Sequence, residues 1–188
     1  MKPRKGLVCA ALTGLGMLLS GCSPERPAPT TSLAGATIDV CFSPRGGCTE
    51  AIVRELNAAR RSVLVQAYSF TSRPIAQALV AAGGRGLRVE VILDRSNRTS
   101  QYSAATFLRN HGIDVRIDAR HAIAHNKVMI VDEATVITGS FNFTKAAEEE
   151  NAENLLIIRN EPRLAEKYVA NFRAHREHAE PYHGAGEG

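Results

Sequence analysis

The stretch HNKVMIVDEATVITGSFN, from His125 to Asn142, decides how this chain is read. It places His125, Lys127, Asp132, Gly139, Ser140 and Asn142 at the spacing H-x-K-x4-D-x6-G-S-x-N. From average residue usage, such a match arises by chance in a chain of 188 residues on the order of one time in a million. Residues 125–131 are apolar and rich in β-branched side chains, which predicts a buried strand. Side chains alternate along a strand, so His125 and Lys127 share a side with Met129 and Val131, and Asp132 has the opposite parity. Asp132 is therefore expected to be structural, pairing with a buried arginine or holding the following turn. Residues 136–138 predict a second strand, joined to the first through a turn at 132–134. It ends at Gly139, which allows close backbone approach. Ser140 and Asn142 then face the same way in an extended stretch.

An imidazole, an ammonium, a hydroxyl and an amide so placed suit chemistry at phosphorus. The imidazole can attack phosphorus or move a proton, and the ammonium can neutralise non-bridging oxygens. Ser140 and Asn142 can donate hydrogen bonds to a phosphate. A nucleophilic imidazole also needs an acceptor for its second N–H, and Glu153 is available at the start of the apolar segment 155–158. Spacing alone reads Glu153 equally well as a solvated strand end.

The motif resembles the signature of the phospholipase D superfamily. Residues 37–176 are similar to its small, single-motif bacterial endonucleases, with support from Phe42-Ser43-Pro44, Ala67-Tyr68-Ser69-Phe70-Thr71 and the run from Gly139 to Glu148. The resemblance implies a covalent phosphohistidine on His125, phosphate binding by Lys127, Ser140 and Asn142, and Glu153 as the carboxylate that orients the histidine. It implies no catalytic metal and no cofactor. Two displacements need two histidines, one to attack and one to protonate the leaving oxygen. This chain carries one motif, so the resemblance implies a homodimer with a twofold axis through a shared site. His121 is the in-chain alternative, and His111, His175, His178 and His183 are read as surface residues.

The chain is long enough for one domain with a real core. Its first residues are expected to be a processing signal. Lys2, Arg4 and Lys5 precede an apolar run from Leu7 to Leu19, too short for a lasting membrane span. Leu19-Ser20-Gly21-Cys22 resembles a lipobox, so residues 1–21 read as a lipoprotein signal peptide and Cys22 as a lipid-bearing N-terminus. The alternatives are an ordinary signal peptide and an uncleaved anchor. Residues 22–36 read as a Pro-rich tether, 37–180 as the catalytic domain and 181–188 as a flexible tail. The expected location is the periplasmic side of a bacterial membrane, with Ser23 favouring the outer one. In that oxidising compartment Cys41 and Cys48 are expected to pair, two free buried thiols being the competing reading.

Helices are expected at 49–60, 73–82, 100–110 and 162–178, and strands at 37–42, 62–68, 87–94 and 113–118, with three more around the motif. The expected fold class is α/β, a layered sandwich with a central mixed sheet flanked by helices. Charge bears on the substrate. Residues 54–127 hold 12 basic and 5 acidic side chains, and residues 133–188 hold 6 and 10. A basic half suits sequence-independent contact with a nucleic-acid backbone, with Arg85, Arg88, Arg95, Arg98, Arg109, Arg116 and Arg120 as candidates. With no Trp, 4 Tyr and 6 Phe, base-specific readout is not expected. The leading expectation is a metal-independent, nonspecific endonuclease. The rival is a phospholipase D acting on phosphatidylcholine-like lipids, and a third reading is an inactive phosphate-binding module.

Overall fold

The computed structural model describes residues 35–99 and 103–184. The signal peptide, the lipid-bearing Cys22 and nearly all of the tether lie outside them. The elements are β1 (Thr37–Ser43), α1 (Cys48–Ala58), β2 (Ser62–Ala67), α2 (Arg73–Gly84), β3 (Arg88–Asp94), α3 (Ala105–Asn110) and β4 (Asp114–Asp118). There follow β5 (Lys127–Val131), β6 (Thr135–Gly139), α4 (Lys145–Glu149), β7 (Glu153–Arg159), α5 (Pro162–His178) and β8 (Glu180–Pro181).

Eight strands form one sheet in the order β1-β7-β6-β5-β2-β3-β4-β8. β2, β3 and β4 run parallel, and every other pairing is antiparallel. The expected mixed α/β layering is what forms. β2 and β5 are buried at every residue because helices cover both faces there. On one face Val63, Val65, Val91, Leu93, Met129 and Val131 pack with Ile52 and Leu56 of α1 and Ile75 and Leu79 of α2. On the other, Leu64, Ile92, Val128, Ile130 and Val136 pack with Ala165, Val169 and Phe172, spaced along one face of α5. α5 leaves part of its face uncovered, where Ile38, Val40 and Phe42 of β1 are 45%, 51% and 67% exposed.

Three differences from the sequence expectation have local causes. The helix expected from residue 100 begins at Ala105, where the Ser103 hydroxyl accepts from the Ala105 N–H. α4 is five residues long, too short to show helical periodicity, and is started by the Thr144 hydroxyl accepting from Ala147 N–H. Residues 181 and 182, expected to belong to a flexible tail, are held by the sheet. Pro181 pairs with Arg116, and Tyr182 is 6% exposed with its N–H on Val115 O at 2.8 Å. The Cys41–Cys48 disulfide is formed and ties β1 to the first residue of α1. Among the described residues no helix is long and apolar enough to cross a membrane.

Candidate active site

The sheet register brings the motif together. Lys127 opens β5 opposite Ala67, the last residue of β2, and Thr138 stands opposite Val128 on the other side. The ends of β1, β2, β3, β4 and β6 therefore lie at the same edge of the sheet as the starts of β5 and β7. His125, Lys127, Ser140, Asn142 and Glu153 all belong to that edge.

Lys127 is 8% exposed, while His125 just ahead of it is exposed. The Lys127 Nζ lies 3.2 Å from His125 Nδ1 and 3.4 Å from Nε2, and donates to His125 O at 3.1 Å. The same-side placement expected from strand parity is thus what the side chains adopt, although regular strand begins only at Lys127. Burial pulls the Lys127 ammonium below its ordinary pKa, and the Glu153 carboxylate opposes that shift. Such a cation is held where an anion can reach it and little water competes.

Tyr68 is a site residue that the sequence reading did not single out. Its ring packs 4.4 Å from that of His125 and stands 5.2 Å from Lys127 Nζ. Tyr68 N–H donates to Asn126 O at 2.8 Å, and Asn97 Nδ2 holds the Tyr68 carbonyl at 2.7 Å. Its advance signals were its position at the end of an apolar strand and its place in the segment Ala67-Tyr68-Ser69-Phe70-Thr71 that supports the family resemblance.

Gly139 has φ 153°, and a Cβ there would lie 2.2 Å from Asn154 O. This close approach lets Ser140 and Phe141 N–H both donate to Asn154 O, at 3.1 and 3.2 Å. The Ser140 hydroxyl accepts from Asn154 N–H at 3.0 Å and is itself exposed, so it retains a hydrogen to donate. The buried Asn142 Oδ1 has no partner. A buried amide left open at an anion-ready edge can turn to present its NH2 to a phosphate oxygen.

The Glu153 carboxylate accepts from Asn151 Nδ2 at 3.2 Å, and among the described residues of this protomer it makes no hydrogen bond to His125. Its N–H donates to the Ser43 hydroxyl, which in turn donates to Asn151 O, so the β1–β7 pairing holds the residue here. Glu153 acts within the protomer through its field on Lys127.

Asp132 is structural, as parity requires. Its carboxylate accepts the backbone N–H groups of Arg60, Arg61 and Ser62 at 2.7–3.2 Å. Asp132 and Glu133 both have positive φ, 55° and 56°, forming the tight turn between β5 and β6. Burial pushes its carboxyl pKa up. The hydrogen bonds from Ser62, Arg61 and Arg60, with the Arg61 charge, outweigh that and leave it lowered.

The histidines also sort differently from the sequence reading. His121, His175 and His178 gather around the fully buried Asp118, and His175 and His178 are largely buried rather than surface residues. Several candidate arginines are engaged structurally. Arg85 donates to Leu56 O and Ala59 O, Arg98 pairs with Glu180, Arg88 with Glu90 and Glu133, and Arg116 with Asp114.

A histidine and a buried lysine at the start of one strand, backed by an open amide, form a phosphate-handling site on a mixed sheet. The family described as "Cardiolipin synthase, PLD-like domain" matches residues 52–176. The chain belongs to the phospholipase D superfamily and is a hydrolase of that class. It is 45% identical over 140 residues to a Rickettsia typhi protein named phospholipase D, covering 74% of this chain and 68% of that one. It is 35% identical over 122 residues to the human mitochondrial cardiolipin hydrolase, covering 64% of this chain and 48% of that one. Among solved structures, the phospholipase D family member Nuc from Salmonella typhimurium superposes with a TM-score of 0.77 at 39% identity. That match covers 79% of this chain and 99% of Nuc.

Proposed function

We propose that this protein hydrolyses the phosphodiester backbone of nucleic acid without base specificity, through a covalent intermediate on His125. A ring nitrogen of His125 attacks phosphorus, forming an N–P bond as the P–O bond to the leaving group breaks. A second imidazole protonates the leaving oxygen. That imidazole then takes a proton from water as water attacks phosphorus and the N–P bond breaks, returning both histidines to their starting state. Lys127 neutralises the non-bridging oxygens, and Ser140 and Asn142 donate to them. The observation that carries the chemistry is the 3.2 Å approach of the buried Lys127 ammonium to the exposed His125 ring.

The nucleic-acid reading is supported by Arg95 and Arg120. Both are exposed; Arg95 follows directly on β3 and Arg120 lies two residues past the end of β4, at the sheet edge that carries His125. A lipid reading has its own support. Phe42 is 67% exposed beside Ser43, and Ile123 is 56% exposed two residues before His125, so apolar side chains flank the site. The Rickettsia relatives are named phospholipase D. A paired assay separates the two. The expected result is nicking of plasmid DNA that persists in EDTA and is abolished in His125→Ala, with little choline released from phosphatidylcholine vesicles. Choline release at the higher catalytic efficiency overturns the ranking.

The second imidazole is proposed to be His125 of a second copy. His121, the in-chain candidate, is held on Asp118 with its Nδ1 3.1 Å from Oδ2. The apolar row Ile38, Val40 and Phe42 lies on one face of the edge strand that reaches the site edge, and suits an isologous interface. Sedimentation of the wild type and of Phe42→Glu tests this; a fully active wild-type monomer refutes it. The Cys22 lipid anchor on the periplasmic side is proposed on the lipobox. Partitioning of the wild type, but not Cys22→Ala, into a detergent phase tests it, and equal partitioning overturns it.

A further inference from the structure

Away from the motif, the end of β4 and the last turn of α5 bring together four side chains of metal-ligand type. Asp118, His121, His175 and His178 each offer one ligand atom, and these atoms all lie within 4.8 Å of one another. The sequence distributes them as Asp-x2-His after β4 and His-x2-His on α5. Two histidines three apart on a helix project from the same face. The two pairs are far apart in the chain, and α5 packing against the sheet joins them.

Three ring nitrogens crowd one carboxylate oxygen. His175 Nδ1, His121 Nδ1 and His178 Nε2 lie 2.7, 3.1 and 3.2 Å from Asp118 Oδ2. Asp118 is fully buried, and the side chains of His175 and His178 are 15% and 18% exposed. Hydrogen bonding does not account for all four groups. His178 Nε2 is buried and, despite its 3.2 Å approach, lacks the alignment of a hydrogen bond to Oδ2 or to any other atom.

A tetrahedral ion bound at ~2.0–2.1 Å to nitrogen and oxygen separates its ligand atoms by about 3.3 Å. The three separations from Oδ2 fall a few tenths of an ångström to either side of 3 Å, and with all four ligand atoms inside 4.8 Å an ion requires the rings to regroup around a common centre. The partly exposed His121 sits on a loop that can supply that movement. Imidazole and carboxylate donors without thiolate suit zinc, and oxygen-seeking calcium or magnesium fit poorly. The Arg120 N–H donates to the other carboxylate oxygen at 3.1 Å, the kind of outer support that orients a ligating carboxylate.

We propose that Asp118, His121, His175 and His178 form a structural zinc site that fastens the loop ahead of His125 to the end of α5. Four protein ligands leave no open position, so the ion braces the fold and takes no part in the phosphodiester chemistry. The bracing reaches the active site through one short loop. Three residues after His121 comes Ala124, whose N–H is held by Asp94 Oδ2 at 2.8 Å, and then His125.

The test uses tag-free full chain stripped with chelator and then titrated with Zn2+ or Co2+. The expected result is one ion per chain by elemental analysis, a visible Co2+ absorption of tetrahedral strength, and a rise in melting temperature with Zn2+. His121→Asn combined with His178→Asn is expected to weaken Zn2+ binding about 100-fold or more, whereas His111→Asn, outside the cluster, leaves it unchanged. Circular dichroism checks that the variants fold. If the double variant unfolds, the wild-type stoichiometry and Co2+ spectrum still decide. A wild type that binds neither ion, or whose binding matches that of the folded double variant, overturns the site and leaves a cluster closed by protons alone.

Discussion

Replacing Asp132 by alanine removes the acceptor for three backbone N–H groups at once, those of Arg60, Arg61 and Ser62. These groups lead into β2, so their loss unfastens the entry to a central strand. Charge-assisted hydrogen bonds of this kind are worth roughly 1 kcal/mol each once solvent screening at the partly exposed Arg60 and Arg61 is allowed for. Alanine at φ 55° adds the cost of a left-handed backbone, about 1 kcal/mol. The sum is a loss of about 4 kcal/mol. Asp132→Asn keeps both an acceptor and tolerance of positive φ, and loses about 1–2 kcal/mol. Urea denaturation of the two variants measures these losses. Hydrolysis of bis(p-nitrophenyl) phosphate per folded molecule is expected to stay within a few-fold of wild type for Asp132→Asn. Because the folded carboxyl sits below its ordinary pKa of 3.8, its stabilisation is complete above that value. It is lost as pH falls through the folded pKa, and Asp132→Asn should flatten that acid limb. The reasoning is refuted if Asp132→Asn keeps wild-type stability while losing two or more orders of magnitude in turnover, since Asp132 then acts in the chemistry.

Gly139→Ala places a Cβ 2.2 Å from Asn154 O, and the β6–β7 pairing must open; a stability loss above about 2 kcal/mol and lowered activity are expected by thermal melting and assay. Lys127→Met removes a buried ammonium whose pKa is depressed by desolvation. The folded lysine holds its proton less tightly than the unfolded one, so its charge costs stability at neutral pH and the cost fades as pH rises through the folded pKa. The methionine variant is therefore expected to melt no lower than wild type while activity falls about 10³-fold or more. Cys41→Ser with Cys48→Ser opens a short disulfide loop and should cost on the order of 2 kcal/mol, with no free thiol titrating in the unreduced wild type.

The motif's chemistry was legible in the sequence because it depends on residue type, spacing and strand parity. Parity put His125 beside Lys127 and excluded Asp132, and both placements follow from the two-residue period of a strand. Apolar segments longer than about five residues likewise announced the strands and the amphipathic helices, α5 to its exact bounds. α4 and β8 were too short to carry a period. Tertiary structure alone decided what depends on partners distant in the chain. Glu153 stands on β7 across from Ser43, and within the protomer that register sets its carboxylate against Asn151. Tyr68 reaches the His125 ring only because β2 pairs with β5. His175 and His178 looked like the polar end of a surface helix, until the packing of α5 on the sheet set them around Asp118. Local periodicity encodes which face a residue takes; which other residues meet it there is set by how the faces stack.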